Sequence, residues 1–391
     1  MIRVGFILVA ADQGWLGGIS YFRNLFRAIL AIPAPEVEPV IVTGFKGAIE
    51  PLTAEFPRIE AVRTGLLDRW SAAWASRKLA QKLTGRDILL EQFLLENGIA
   101  VMSHSGHLGN GARVAAIGWI PDFQHKHLPE LFSPKERIQR DRSYEALARY
   151  SHSIILSSAA AESDFVRWFP GASAKSRVLR FVADPVVETA VSAGTALGSK
   201  YNIAGPYFHL PNHFWVHKNH RVVIDALEVL NAGGTHYTVV ATGNTDDHRH
   251  PGQLQSLLDR ARRAGVEKEF RVLGVVPYAD LIALMKGALA VINPSRCEGW
   301  STTVEEAKAL GKQVILSDIA VHREQAPEAG HYFDPDDAPQ LAQFMYDCRL
   351  NHNPEQDHAR ALRAHASFPE RQSAFAHAFQ SIILDADRSP G

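Results

Sequence analysis

The segment Asn293–Gly311 (NPSRCEGWSTTVEEAKALG) constrains the fold more than any other part of the chain. It joins two short apolar runs, Leu289–Ile292 and Val314–Leu316, which have the length of buried parallel strands. Between them the pattern predicts a loop and then a helix, with Gly311 directly after the last helical turn. A strand, a helix and a second strand in this order predict a parallel sheet in an α/β fold.

Two carboxylates bracket the predicted start of this helix. Thr302 pairs with Glu305, and Thr303 with Glu306, in two overlapping capping-box registers. Glu298 lies in the preceding loop, with seven residues between it and Glu306. First-turn amides favour an anion, and carboxylates beside them suit the hydroxyls of a sugar or a ribose. The alternative is that Glu306 only caps the helix and that Glu298 is a solvated loop charge.

Length and composition indicate a two-domain globular protein. A chain of 391 residues exceeds what one core usually supports, and 46% hydrophobic with 21% charged residues is ordinary for globular domains. A net charge of −1 and a pI near 7.0 argue against a nucleic-acid binder. Cys297 and Cys348 make no disulfide framework, so a cytoplasmic location is expected. The apolar N-terminal run predicts a strand rather than a signal peptide, and no run reaches transmembrane length.

The pattern Glu298-x7-Glu306, with Pro294-Ser295 ahead of it, resembles that of retaining GT-B glycosyltransferases, and most of all glycosyltransferase family 4. The resemblance implies an α/β GT-B architecture in which two Rossmann-like domains face each other across a cleft. The polar, pattern-poor stretch Val186–Lys200 is the predicted linker. The predicted divisions are an acceptor-side domain at 1–185, a nucleotide-sugar-binding domain at 186–366, and a C-terminal helix at 367–391 that packs back on the first domain.

The resemblance also implies which residues hold the donor. In this family a GR-x4-K segment gives an arginine and a lysine to the donor diphosphate; Lys218 matches the lysine, and His213 stands in the place of the arginine. A neutral histidine donates one hydrogen bond instead of a cationic fork. Glu306 would hold the ribose, and Glu298 the hydroxyls of the donor sugar. The implied nucleotide-binding set is Gly17, Gly18, His213, Lys218, Gly299, Trp300, Ser301, Thr302, Thr303 and Glu306.

Gly17 and Gly18 follow the predicted first strand, Val4–Val9, and precede a predicted amphipathic helix, Ile19–Leu30. Glycines there let a ligand approach the amides of a helix N-terminus. The alternative is a tight turn. The spacing is not GxGxxG, which disfavours a nicotinamide or flavin cofactor.

A second group of polar residues follows the predicted strand Ala115–Pro121. Asp122, His125 and His127 lie where open α/β sheets bind ligands. Many members of the family carry a His-Asp pair here, and this chain has Pro121-Asp122, so His125 and His127 are candidate substitutes. The predicted catalytic set is Glu298, Lys218, Asp122, His125 and His127. A purely structural role for both histidines is the alternative.

No metal or cofactor is expected, because the nucleotide sugar is a substrate and GT-B chemistry needs no metal. Two segments have a metal-like composition, Asp246–His250 and Asp334-Pro-Asp336. The first is predicted to be a solvated loop. The second lies late, before a helix, unlike the DxD motif of GT-A enzymes.

A predicted helix at Leu67–Leu83 carries Trp70, Trp74 and several basic residues. Such a helix could rest on an anionic membrane surface, which suits a lipid-linked acceptor. The alternative places both tryptophans in a core or interdomain face.

The expected function is therefore transfer of a sugar, with retention, from a nucleotide sugar to a saccharide or lipid-linked saccharide in bacterial surface polysaccharide or lipopolysaccharide synthesis. The enzyme would be cytoplasmic, with peripheral contact to the inner face of the plasma membrane. The alternatives are a catalytically degenerate nucleotide-sugar-binding protein, motivated by His213, and a GT-B nucleotide-sugar epimerase.

Overall fold

The computed structural model describes residues 1–8, 16–184 and 195–388. The chain divides into two compact units. The first unit comprises Met1–Phe123, Ser133–Val182 and Glu370–Gly391, and the second comprises Gln124–Phe132 and Ala183–Pro369. These divisions fall after residues 182 and 369, whereas the predicted divisions fall after residues 185 and 366. The assignment of Gln124–Phe132 to the second unit has no sign in the sequence.

The described part of the first unit contains a seven-stranded parallel sheet in the order β3-β2-β1-β4-β5-β6-β7. The order reverses between β1 and β4, which makes this pair the topological switch point. The strands are β1 (Ile2–Ile7), β2 (Val37–Thr43), β3 (Glu60–Arg63), β4 (Val101–Ser103), β5 (Ala115–Ile120), β6 (Ser153–Leu156) and β7 (Ser176–Val178).

Helices of the first unit, among them α1, bury apolar residues against this sheet. An aromatic group built on Phe6 forms the centre of one face, where Phe26 lies edge-on at 5.1 Å between ring centroids. The helices are α1 (Leu16–Leu30), α2 (Glu50–Glu55), α3 (Ala72–Thr84), α4 (Ile88–Glu96), α5 (Gln124–His127), α6 (Pro134–Tyr150) and α7 (Ala159–Trp168). Of these, α5 belongs to the second unit.

The second unit repeats the same design with a six-stranded parallel sheet, counted over described residues, in the order β10-β9-β8-β11-β12-β13. Its switch point lies between β8 and β11. The strands are β8 (Tyr207–Pro211), β9 (Thr238–Thr242), β10 (Phe270–Gly274), β11 (Val291–Asn293), β12 (Val314–Ser317) and β13 (Gly330–Phe333). The helices are α8 (Thr195–Tyr201), α9 (His220–Ala232), α10 (Gln253–Arg263), α11 (Tyr278–Gly287), α12 (Thr302–Ala309), α13 (Ala320–Gln325) and α14 (Ala338–Leu350).

The last helix, α15 (Pro354–Arg388), runs through both units and has Pro369 inside it, next to the unit boundary. Its second part is built into the first unit. Phe379 is fully buried, with its ring 5.9 Å from that of Phe6, and Gln380 accepts a 2.8 Å hydrogen bond from the amide of Glu36. The first sheet therefore completes its core with residues from the far end of the chain.

Two predicted segments differ from the structure. The helix predicted at Leu67–Leu83 begins only at Ala72, because Ser71 caps it by accepting a hydrogen bond from the Trp74 amide.

The predicted linker spans Val186–Lys200. Its residues 186–194 lie outside the described part of the chain, and its residues from Thr195 onward are helical. Lys200 and Tyr201 hold this helix, α8, in place through hydrogen bonds of 2.6 and 2.5 Å to the carboxylate of Asp280. Composition alone does not reveal these tertiary contacts.

Candidate functional site

The candidate site lies at the switch point of the second sheet, where the loops after β8 and β11 diverge. Open α/β sheets bind ligands at this place, outside the carboxyl ends of the strands. Asn212 follows β8, and its side-chain amide donates a 3.4 Å hydrogen bond to Oδ1 of Asn293, the last residue of β11. The Arg296 amide donates to the His217 carbonyl at 2.8 Å. The two loops therefore hold each other in one arrangement.

Lys218 and Glu298 form the central ion pair of the site. Lys218 Nζ lies 2.6 Å from Glu298 Oε1, and the two side chains are 14% and 9% exposed. Burial alone would raise the pKa of Glu298, but the ammonium of Lys218, the neighbouring His322 and hydrogen bonds to the carboxylate hold this pKa below its usual value. Glu298 is therefore an ionised acceptor at neutral pH. Since a solvated loop charge would not be 9% exposed, the alternative drawn from the sequence for Glu298 is wrong.

The loop before α12 is fixed by side-chain amides. Asn293 Nδ2 donates to Ser301 Oγ at 2.7 Å. Gln325 accepts from the Ser301 amide at 3.2 Å and donates to the Ser301 carbonyl at 3.0 Å. The Ser301 amide, one of the predicted phosphate donors, is thus already used inside the protein.

The cap of α12 corrects the two predicted capping boxes. Ser301 is the cap, and its hydroxyl accepts a hydrogen bond from the amide of Val304, which occupies the third helical position. Glu305 instead contacts Lys308 at 3.1 Å and Gln325 at 3.0 Å. The helix starts one residue earlier than in the first predicted register, because Asn293 holds Ser301 in the capping conformation.

Thr302 and Thr303 open α12, and amides of a first turn have no acceptor within their own helix. The Thr303 hydroxyl donates to the Pro211 carbonyl at 3.0 Å, which ties the helix start to the end of β8. Of the predicted amide donors, these two occupy the positions that best suit an anion. Gly299 and Trp300 precede them in the same loop and are partly exposed.

Glu306 lies deeper than Glu298 and has a different partner. Its side chain accepts a 3.0 Å hydrogen bond from the hydroxyl of Tyr278, the first residue of α11. Glu306 is 4% exposed, and burial raises its pKa to about 7, with the Tyr278 hydrogen bond offsetting only part of that rise. Near neutral pH this carboxyl is therefore shared between its protonated and ionised forms. Ser301 rather than Glu306 takes part in the cap, so a capping role does not account for Glu306.

His213 is a neutral hydrogen-bonding group. Its Nδ1 accepts a 2.9 Å hydrogen bond from the amide of Asn244, which places the ring proton on Nε2. Burial, followed by the nearby charge of Lys218, lowers its pKa to about 4. At this position the side chain has one N–H to donate and no positive charge.

His322 is a site residue that the sequence analysis did not single out. It is fully buried in α13, and its Nδ1 donates to the Ser317 carbonyl at 2.9 Å. Nε2 of the neutral ring is then unprotonated and can accept a hydrogen bond, but no described residue donates one to it. His322 acts on the charge of Glu298, so it belongs to the same electrostatic group. A histidine in the first turn of the helix that follows β12 was the available signal.

The remaining predicted residues lie on α1, after β5 and on α5. Gly17 and Gly18 form the first turn of α1 in the first unit, and Asp122 follows β5, where its carbonyl accepts a 3.2 Å hydrogen bond from Tyr144. In α5, His125 is 1% exposed and packs edge-on against Phe132, whereas His127 is exposed. Of these two histidines, His127 is therefore the one that presents its ring to solvent.

The first unit has its own buried histidine at the end of β4. His104 has a left-handed backbone (φ 55°), and its Nε2 lies 2.6 Å from the Tyr21 hydroxyl. Burial lowers the pKa of His104 to about 3. Trp119 stacks on Tyr21 at 4.7 Å, so this trio is a packed aromatic group at the switch point of the first sheet.

The two segments of metal-like composition are held by internal contacts. Asp247 accepts hydrogen bonds from the amides of Arg249 (3.0 Å) and Val216 (3.4 Å). Asp334 accepts from the Asp336 amide at 2.9 Å, and Asp336 pairs with Arg296. Across the described ranges, no group of three or more His, Cys, Asp or Glu side chains is arranged to hold a metal ion.

The two Rossmann-like parallel-sheet units define the GT-B fold class, which solved glycosyltransferases share over nearly the whole chain. A glycosyltransferase from Rickettsia africae aligns with a TM-score of 0.69 at 14% identity, covering 99% of this chain and 98% of that one. Anabaena HepE in complex with UDP-glucose gives 0.70 at 16% identity, covering 98% and 99%. The lipopolysaccharide outer core galactosyltransferase WaaB gives 0.61 at 14% identity, covering 98% and 99%.

Residues 207–358 match the family model described as glycosyl transferases group 1. The matched segment contains Lys218, Glu298 and Glu306, so the similarity to group 1 glycosyltransferases covers the part of the second unit that carries the candidate site. No curated protein matches the chain in sequence. No helix in the parts that the structure describes is long and apolar enough to cross a membrane.

Proposed function

We propose that this protein is a retaining glycosyltransferase of family 4 type, which moves a sugar from a nucleotide donor to a saccharide or lipid-linked saccharide acceptor. The observation that carries the proposal is the pairing of a buried cation with a buried carboxylate, Lys218 with Glu298, at the switch point of a group 1 domain. A diphosphate needs the cation, and a sugar needs the acceptor oxygens. A nucleotide sugar supplies both parts in one molecule.

The nucleotide would bind along the start of α12 and beside Glu306. Glu306 accepts from Tyr278 in the present structure, and a ribose offers hydroxyls of the same donor type. Because HepE binds UDP-glucose in its solved complex, a UDP-sugar is the donor to test first.

The reaction breaks the bond between the anomeric carbon and the oxygen of the donor diphosphate. Negative charge then grows on the departing phosphate, and the Lys218 ammonium, the Nε2–H of His213 and the amides of Thr302 and Thr303 would stabilise it. The acceptor hydroxyl attacks from the face that the phosphate leaves, and its proton passes to a phosphate oxygen. The configuration at the anomeric carbon is retained, and these groups supply the charge stabilisation without a metal.

Glu298 is assigned to the hydroxyls of the donor sugar rather than to nucleophilic attack. Its ion pair with Lys218 holds the carboxylate in a fixed orientation, which suits positioning. On the acceptor side we assign Asp122 and His127, with Gly17 and Gly18 near the donor phosphates. His125, being buried, would support the conformation of α5. Surface polysaccharide or lipopolysaccharide synthesis is the proposed process, supported by the likeness to WaaB, and the cytoplasmic side of the plasma membrane is the proposed location.

The test is thermal stabilisation by UDP, GDP, dTDP and ADP, followed by a transfer assay with sugars on the preferred base. A ligand at one hundred times its Kd stabilises the folded state by about 2.7 kcal/mol. We expect stabilisation by one nucleotide, lost in Lys218→Ala and Glu306→Ala. The exposed pair Lys286→Ala and Glu328→Ala are matched controls that should keep it. A folded protein that responds to no nucleotide would refute the donor site.

A second candidate is a protein that binds the nucleotide sugar without transferring it. The neutrality of His213 favours it, because one of the two cations expected at the diphosphate is missing. Nucleotide-dependent stabilisation with no release of nucleotide diphosphate, across a panel of saccharide acceptors, would support this candidate. An epimerase would instead convert the donor sugar with no acceptor present.

A further inference from the structure

One face of α3 and the loops beside it expose large apolar side chains to solvent. Trp70 is 77% exposed, Leu79 60%, Leu83 77% and Phe45 67%. Leu79 and Leu83 lie one helical turn apart on the same side, and α3 buries none of its residues. We call these four residues with their basic neighbours Lys46, Arg69, Lys78 and Lys82 the α3 face.

A single buried carboxylate joins the two loops of this face. Asp68 accepts hydrogen bonds from the amides of Phe45 (3.0 Å) and Lys46 (2.9 Å). Its carbonyl accepts from the Ser71 amide at 3.0 Å, which forms the turn that carries Trp70. The loop that carries Phe45 and the turn that carries Trp70 are therefore both fixed by Asp68.

Trp70 is held in a conformation that a tryptophan rarely adopts. Its φ is 69°, in the left-handed region, and its ring lies 5.3 Å from that of Trp74 and 5.0 Å from the Arg69 guanidinium. Such a backbone costs on the order of 1 kcal/mol for a residue with a side chain. This strained backbone holds the Trp70 indole in solvent, although burying the indole would have stabilised the fold.

The charges on the α3 face are of one sign. Lys46, Arg69, Lys78 and Lys82 are exposed, and the chain has no acidic residue from 69 to 86. The flanking acids are buried and engaged: Asp68 holds the loop amides, and Asp87 pairs with Arg77 at 2.7 Å. Lys78 also lines a cavity of about 270 Å³, together with the Arg77–Asp87 ion pair, His107 and Ser143. Donors of this kind suit a phosphate headgroup.

We propose that the α3 face docks on an anionic lipid bilayer. Aromatic rings that are apolar on one side settle at the boundary between headgroups and acyl chains, and lysines beside them pair with lipid phosphates. The combination of exposed Trp, Phe and Leu with unopposed positive charge fits this surface on both counts. The inference rests on the first unit alone and does not depend on the donor site.

The test is co-sedimentation of the full-length protein with vesicles of phosphatidylcholine containing about one third phosphatidylglycerol, against phosphatidylcholine alone. We expect binding to the anionic vesicles only, falling as salt is raised. Lys78→Gln with Lys82→Gln should weaken binding about fivefold for each lysine removed. Leu79→Ser with Leu83→Ser should abolish it, and so should Trp70→Asn, since Asn tolerates the left-handed backbone.

Matched controls come from the second unit. Lys268→Gln with Lys286→Gln, and Leu350→Ser with Leu362→Ser, remove equally exposed residues and should leave binding unchanged. Equal binding by wild type and the α3 variants, or no binding to anionic vesicles, would overturn the proposal. So would a concentration-dependent dimer, seen by sedimentation velocity, that the α3 variants abolish. Nucleotide stabilisation, measured on the same samples, reports separately on the donor site.

Discussion

The hydroxyl of Tyr278 donates a 3.0 Å hydrogen bond to Oε1 of Glu306, whose carboxyl group is buried in the protein. Burial raises the pKa of Glu306 to about 7, above the value of about 4.5 for an ordinary glutamate. Because the raised pKa lies close to physiological pH, it makes both stability and ligand binding depend on pH.

We expect Glu306 to reduce stability as pH rises. Between pH 5 and pH 8 the folded protein binds more protons at this site than the unfolded chain, so the free energy of unfolding should fall by about 2.5 kcal/mol from this group. Glu306→Gln stays neutral and should lack that loss. Urea unfolding of both proteins at pH 5 and pH 8 measures the difference. Parallel pH dependence in the two proteins would show that Glu306 keeps an ordinary pKa.

Tyr278→Phe removes the hydrogen bond that offsets burial, so the pKa of Glu306 should rise further. If the ribose binds the ionised carboxylate, the pH at which nucleotide affinity reaches its plateau should move upward, while affinity at high pH changes less. Calorimetric titration of UDP from pH 6 to pH 9 tests this shift. Tyr346→Phe, a tyrosine of similar exposure on α14, is the control.

Removing Lys218 should leave Glu298 as a buried charge without its main partner. Lys218→Ala is expected to cost about 3 kcal/mol of stability, and the loss should grow with pH because the pKa of Glu298 is no longer held down. Adding Glu298→Gln should restore most of the stability. Neither protein should bind nucleotide, which separates the folding role of the pair from its binding role. A double variant as unstable as the single one would contradict this account.

His213→Arg should strengthen diphosphate binding by about tenfold, the value of one charge-assisted hydrogen bond. The same change removes the acceptor of the Asn244 amide and should cost about 1 kcal/mol of stability. Calorimetry with UDP at pH 7.5 is the measurement. The control is His236→Arg, at an exposed position just before β9. It should alter neither the UDP affinity nor the stability. Unchanged affinity in a folded His213→Arg protein would place His213 away from the diphosphate.

Gln325→Ala should loosen the loop ahead of α12. It leaves the Ser301 amide and carbonyl without the partners they have at 3.2 and 3.0 Å, which costs about 1–3 kcal/mol for each buried group. Hydrogen exchange should accelerate in the peptide that contains residues 299–303 while the rest of the second unit stays protected. Equal exchange in wild type and variant would show that other contacts set the loop.

The fold could be predicted because strands buried on both faces appear in a sequence as apolar runs. Those runs and their order indicated the parallel α/β design. Lys218 was found because it matches the lysine of the family's GR-x4-K segment, and Glu298 and Glu306 because their spacing resembles the family's E-x7-E pattern. Their roles toward a ligand stay predictions.

The contacts that could not be predicted join residues that lie far apart in the sequence. Tyr278 reaches Glu306 across 28 positions and Gln325 reaches Ser301 across 24, so no local pattern reports either contact. The capping boxes failed for a related reason. Thr302 and Glu305 satisfy the local rule, but Asn293, at the end of the preceding strand, fixes Ser301 as the cap.

The second part of α15 has a consequence for how the chain folds during synthesis. The amide of Glu36 bonds to Gln380, 344 positions later, and Phe379 packs on Phe6 in the centre of the first sheet. Domains usually fold in order as they leave the ribosome. Here the first sheet emerges early but lacks part of its core until Phe379 and Gln380 have been synthesised. Until then, the aromatic residues that Phe379 covers in the folded protein would be exposed and would have to be bound by a chaperone.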